Sequence, residues 1–206
     1  MSHRIRLLPA FIVIGLAQIA RAQTARPDPL YTSLDPKTRQ QIETIRDSAR
    51  AMGLPDEPIH QKALEGIAKK AEPKRIVAAE WLLLANLRVA RDSLGTSDVS
   101  ELLAAHYALL AGVKADELGQ FRGASRGRSP AVALSRLTDM IARLGVPRDE
   151  AVPTFARLWK GGSTDIELEG LSQRTEQDIL SGKNPGQSLA NRARELPVRR
   201  SPPPDN

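Results

Sequence analysis

The sequence predicts an all-α protein, an irregular bundle or short superhelix of about eight or nine antiparallel helices with no sheet. Three observations predict it. Pairs such as Asp35-Pro36, Ser129-Pro130 and Asn184-Pro185 alternate with closing glycines along the central chain, which is the grammar of helix starts and stops. The apolar residues between them recur at spacings of three and four, the period of an amphipathic helix. No stretch alternates apolar and polar residues between hairpin turns, as a half-buried strand would.

The elements follow in order. Residues 1–22 read as a secretory signal peptide. Arg4 and Arg6 form the positive start, Leu7–Ala20 is a 14-residue apolar run, and Ala20-Arg21-Ala22 sets small residues for a cut between Ala22 and Gln23. As a helix that run is about 21 Å long, short of the roughly 30 Å of bilayer hydrocarbon, so removal is favoured over a retained anchor. Residues 23–34, with Pro27 and Pro29, read as an extended leader. Asp35-Pro36 opens a helix that Gly53 closes, with Thr38, Ile42, Ile45, Ala49 and Met52 as its stripe. A helix is predicted over Glu57–Ala71. Pro73 opens and Gly95 closes a long one carrying Ile76, Leu83, Leu87, Ala90 and Leu94. Thr96-Ser97 to Gly112 is next, then a short helix over Ala115–Ala124. Ser129-Pro130 to Gly145 has the cleanest stripe, Ala133, Leu134, Leu137, Met140, Ile141 and Leu144, with Arg136, Asp139 and Arg143 opposite. A helix follows Pro147, with Pro153 expected to kink it. Ser163 opens and Gly182 closes another, and Asn184-Pro185 opens a last one that Pro197 ends. Residues 35–196 thus read as one helical domain, and 197–206 as a disordered Pro-rich basic tail.

An internal echo runs through these corners. Gly112-Val-Lys-Ala-Asp-Glu117 resembles Gly145-Val-Pro-Arg-Asp-Glu150, 33 residues on, and Gly53-Leu-Pro-Asp-Glu57 is a shorter version. Each glycine ends one helix, an apolar residue follows as a pin, and acids stand at the positive end of the next helix. Two readings fit: similar αα corners, or a degenerate helix-pair repeat.

Composition excludes several functions. The 206 residues contain no cysteine, which removes disulfide scaffolds, thiolate metal sites and a Cys nucleophile. The formal charge is +6 from 30 basic and 24 acidic residues. Arg4, Arg6 and Arg21 lie in the signal and no acid does, so the remaining 184 residues carry only +3. That small charge, the 3% aromatic content and the export signal argue against nucleic acid. The phosphate-loop pattern, the Gly-x-Gly-x-x-Gly turn, the Gly-x-Ser-x-Gly elbow and Ser-x-x-Lys are absent. No cofactor and no metal is implied.

The residues able to carry chemistry are few. His106 has Leu102, Leu103, Leu109 and Leu110 around it on an apolar face and no second ligand at metal spacing. Glu80 falls inside the stripe of its helix, four residues after Ile76 and three before Leu83. A carboxylate there is paired with a neighbouring helix, hydrogen-bonded or protonated, unless it lies at the stripe's margin, and if protonated it is a candidate general acid. Glu65 is a second candidate, although Lys62 and Lys69 flank it at ordinary pairing distances. Basic residues cluster at Arg122, Arg126 and Arg128, in a glycine-loosened link before a helix start, and at Lys69, Lys70, Lys74 and Arg75. Arginine forks and helix N-termini both suit anions, whereas charged loops also simply keep a protein in solution. The sequence therefore predicts an exported, soluble, non-enzymatic binding module for an envelope protein or anionic polymer, in the periplasm or secreted, with no stable membrane insertion after processing. The alternative is an envelope hydrolase with a buried Glu as general acid.

Overall fold

Short polar side chains and prolines set the helix starts in the computed structural model, which describes residues 32–96, 98–122 and 128–197. The signal segment, residues 198–206 of the tail, Ser97 and Arg126 lie outside that set. Of the leader only residues 32–34 are described, and 32–33 have helical backbone. Among the described residues there are nine α-helices, one 3-10 turn and no strand. The helices are α1 (Pro36–Ala51), α2 (Glu57–Ala68), α3 (Pro73–Leu94), α4 (Val99–Leu110), α5 (Ala115–Leu118), α6 (Ala131–Ala142), α7 (Arg148–Lys160), α8 (Asp165–Leu180) and α9 (Pro185–Arg194), with the 3-10 turn at Gly119–Phe121.

The caps account for the boundaries. Asp35 accepts from the Lys37 and Thr38 amides, both at 3.0 Å, with Pro36 in the first turn of α1. Asn184 does the same for α9 by accepting from Gln187 N at 3.0 Å. Two starts differ from the sequence reading. Asp98, not Thr96-Ser97, caps α4, accepting from Ser100 N and Glu101 N at 2.9 and 3.1 Å, because a carboxylate is the stronger acceptor at a positive helix end. Thr164, not Ser163, caps α8. Its hydroxyl accepts from Glu167 N while Glu167 accepts from Thr164 N at 2.7 Å, a reciprocal pair that Ser163 is not placed to make.

Helix ends correct two further expectations. The segment predicted as Glu57–Ala71 is helical only to Ala68. Lys70 N donates to Ile67 O and Ala71 N to Gly66 O, both at 2.9 Å, and Lys70 takes the left-handed conformation at φ 53 that such an ending requires. The helix predicted over Ala115–Ala124 is one turn of α5 followed by the 3-10 turn, because Phe121 swings inward to 1% exposure and Arg122 becomes extended. α7 runs unbroken through Pro153. Met52, expected on the α1 stripe, lies past the last turn and is exposed.

The stripes build one core. α3 packs on α1, α2, α4 and α5; α6 packs on α4, α7 and α8; α9 closes over α7 and α8. The α4–α6 contact joins the two halves, and buried residues from every helix fall in a single apolar cluster. The echoed corners behave alike: Gly112 and Gly145 have φ of 92 and 69, and the pins Val113 and Val146 are buried. Arg148 of the second corner donates to both Glu117 oxygens of the first, at 2.7 and 2.8 Å.

Candidate functional site

The site begins with a glycine. A Cβ built on Gly66 would lie 2.7 Å from Ile76 Cγ1, so this glycine lets α2 lie close against α3. The outward face of α2 then forms one bank of a groove. Its apolar compartment, about 270 Å³, has Leu83, Leu103 and His106 among its lining and Pro58, Gln61, Val99 and Tyr107 at its sides. The neighbouring compartment, about 530 Å³, lies over Ile76 and Ala79 and is ringed by Lys69, Lys70 and Arg75. Lys62 and Glu65 line both, so the two hollows are parts of one surface feature.

Its electrostatics follow from the pairing. Lys62 donates to Glu65 at 2.9 Å and Lys69 also donates to Glu65. These two lysines hold the Glu65 carboxyl down at about 2. Glu65 is therefore ionised near neutral pH and has no proton to give as a general acid. Lys70 and Arg75 make no ion pair among the described residues, and with Lys62 and Lys69 they outnumber the carboxylates Glu65 and Glu72 of the same compartment, which leaves a net positive charge at that end. Lys74 faces a different hollow, with Asp35, Lys37, Gln41 and Glu72.

His106 supplies the groove's buried polar group. It is 4% exposed, and its Nδ1 is buried with no hydrogen-bond partner. Burial, reinforced by the Lys62 charge, pushes the imidazole down to about 4, so the ring is neutral at pH 7. Of the leucines expected around it, Leu110 instead turns outward and is exposed.

The second acid candidate is sealed. Glu80 has 0% exposure and both carboxylate oxygens lack a hydrogen-bond partner. Burial raises it to about 8, opposed by the charge of Arg46 and assisted by that of Glu43. The interhelix salt bridge considered for it does not form: Arg46 donates instead to Glu43 and to Asp56, each at 2.9 Å. Glu80 lines none of the three hollows above. Its carboxyl is thus enclosed by the core and separate from the α2 groove.

The arginine link divides differently from its sequence reading. Arg122 donates through Nε to Ser93 O at 2.8 Å and through its fork to Asp92 O, closing the last turn of α3. Arg128 donates to Ser163 O and lies 4.5 Å over the Trp159 ring. Arg122 remains exposed and Arg128 is half-buried, yet both described ends of the segment read as an anion contact or a solvated loop are pinned to other parts of the fold by their guanidinium groups.

Sequence reasoning missed Pro58, Gln61, Val99 and Tyr107. A signal was present for the last two. Val99, Leu103 and Tyr107 recur every four residues on α4, beside the stripe that enters the core. A helix apolar on two faces has more apolar surface than one core contact covers.

No protein-family model, curated protein or solved structure shows a significant match to this chain. Among the described residues no cluster of His, Asp and Glu is arranged to hold a metal ion, and no helix is long and apolar enough to cross a membrane.

Proposed function

We propose that the chain is a non-enzymatic binding module, exported by its N-terminal 22 residues, that engages an envelope protein or anionic polymer through the α2 groove. The observation that carries the reading is the continuity of the groove, in which an apolar compartment and a cationic one share the Lys62–Glu65 wall. Lys70 adds support. Among the described residues it is the one non-glycine residue with positive φ, where six other helix exits have glycine. A left-handed lysine costs about 1 kcal/mol or more against glycine, and strain of that kind gathers at functional positions. The groove does not enclose its contents, so it suits association with a larger partner.

Elution from a phosphate-bearing cation exchanger tests the site. The double variant Lys69→Glu, Arg75→Glu is expected to elute at lower salt than a charge-matched control, Arg157→Glu with Lys160→Glu on α7. Equal elution would mean that net charge alone governs retention and that the groove is not the contact surface. Intact mass of exported material tests the address: it should begin at Gln23, and a full-length chain recovered from a membrane pellet would refute the signal reading.

A further inference from the structure

We infer that the groove's occupant is a segment of a partner protein in which apolar side chains and carboxylates stand about five residues apart. This rests on the binding-module reading and names the chemistry of the partner. The apolar compartment, about 270 Å³, opens along the Lys62–Glu65 wall into the cationic one of about 530 Å³, so the groove is elongated and suits an extended segment that occupies both. Val99 and Tyr107 at its edge remain 44% and 52% exposed, available to pack against an incoming residue.

Three features define the rest of the segment. First, Pro58 and Lys69 are eleven residues apart on α2, about 16 Å of helix rise, which an extended strand covers in about five residues. A segment anchored at the apolar end therefore reaches Lys69, Lys70 and Arg75 after that interval, and the charge there calls for carboxylates. Second, His106 is a built polar group inside the apolar compartment, nine-tenths buried, its Nδ1 unpartnered. A buried ring nitrogen without a partner is costly, and it marks the otherwise apolar compartment as polar at one point of its lining. Third, Glu57, Glu65 and Glu72 line the same groove. A polymer with an anion at every step would meet all three, whereas a peptide whose apolar part lies beside Glu57 brings its carboxylates only to the end where Lys62, Lys69, Lys70 and Arg75 outnumber Glu65 and Glu72.

Selection of random twelve-residue peptides displayed on phage, against the purified full chain, provides the test. Enriched peptides should share one or two large apolar residues about five positions from two or more Asp or Glu. By fluorescence anisotropy, a synthetic copy should bind at least tenfold more weakly to Lys69→Glu with Arg75→Glu, and to Val99→Asp with Tyr107→Asp. It should bind normally to Arg157→Glu with Lys160→Glu, and circular dichroism should show unchanged helicity in all three. Enriched peptides without acids, sensitive only to the Val99 and Tyr107 changes, would overturn the inference while leaving the groove as a binding site. Polyphosphate binding that depends on Lys69 and Arg75, with no peptide enriched, would replace the peptide by a polyanion and overturn it equally. Peptides indifferent to both pairs of substitutions, or no binding of either probe, would overturn the inference and the groove together.

Discussion

Glu80 and His106 are buried ionisable residues without hydrogen-bond partners for Glu80's oxygens and His106's Nδ1, and they bend the stability of the protein in opposite directions with pH. Glu80 rises from 4.5 to about 8 on folding. The folded state therefore holds the extra proton between those values, and stability falls as pH rises through that window, by about 1.4 kcal/mol per unit where the difference is complete. His106 falls from 6.5 to about 4, so the unfolded state holds the extra proton and stability rises with pH from 4 to 6.5. The two slopes oppose between 4.5 and 6.5, and above 6.5 Glu80 acts without His106. Urea midpoints of the parent should thus be nearly level from pH 5 to 6.5 as far as these groups decide, then drop towards pH 8. Glu80→Gln should remove most of that drop, and an equal drop in both proteins would show that Glu80 is not the cause. Lys70 belongs to the same scale. Lys70→Gly should raise stability by about 1 kcal/mol by relieving the left-handed backbone and should also weaken retention on the anionic matrix. A gain in stability without loss of retention would remove Lys70 from the site.

At the scale of elements, the arginines around the link are helix fasteners. Arg122 neutralises carbonyls at the negative end of α3, where a cation is favoured, and Arg128 couples the start of α6 to the α7–α8 corner through Ser163 O and Trp159. Replacing both by Ser should lower unfolding stability by about 1–3 kcal/mol, from lost hydrogen bonds and a cation–π contact, with little change in anion retention. Retained stability with lost retention would return them to the role the sequence implied. The anchorage of these arginines was not legible in the sequence for a physical reason. Three arginines near glycines are compatible with an exposed loop, and nothing local reveals that Asp92 O and Ser93 O, some thirty residues away, stand within reach. The helices themselves were legible. The 3.6-residue stripes placed Ile42, Leu87 and Leu137 at zero exposure, because burial of one face depends on the order of residues along one element. Glu80's position in its stripe likewise announced its burial, although not the absence of a partner.

Among the described residues a single apolar cluster spans both halves, with α6 as the hub of the second. Leu137, fully buried on α6, should therefore matter to both halves. Leu137→Ala is expected to cost about 2–5 kcal/mol and to shift one unfolding transition as a unit. Two separated transitions would mean that the α4–α6 contact does not couple the halves. Arg143→Ala, which breaks an exposed ion pair with Glu176, should cost under about 1 kcal/mol. By itself the sequence determined the helical class, most helix starts and ends, most of the buried stripes of α1, α3 and α6 and the pinned glycine corners, since these follow from interactions within about five residues of chain. Only the tertiary structure decided that Lys69, Lys70 and Arg75 share a groove with Val99 and Tyr107, that Lys74 does not, that Arg122 and Arg128 act as fasteners and that Glu80 is sealed. Those facts depend on how closely α2 crosses α3 at Gly66 and on which faces α4 leaves uncovered, and a crossing distance is a property of two packed surfaces that neither segment encodes alone.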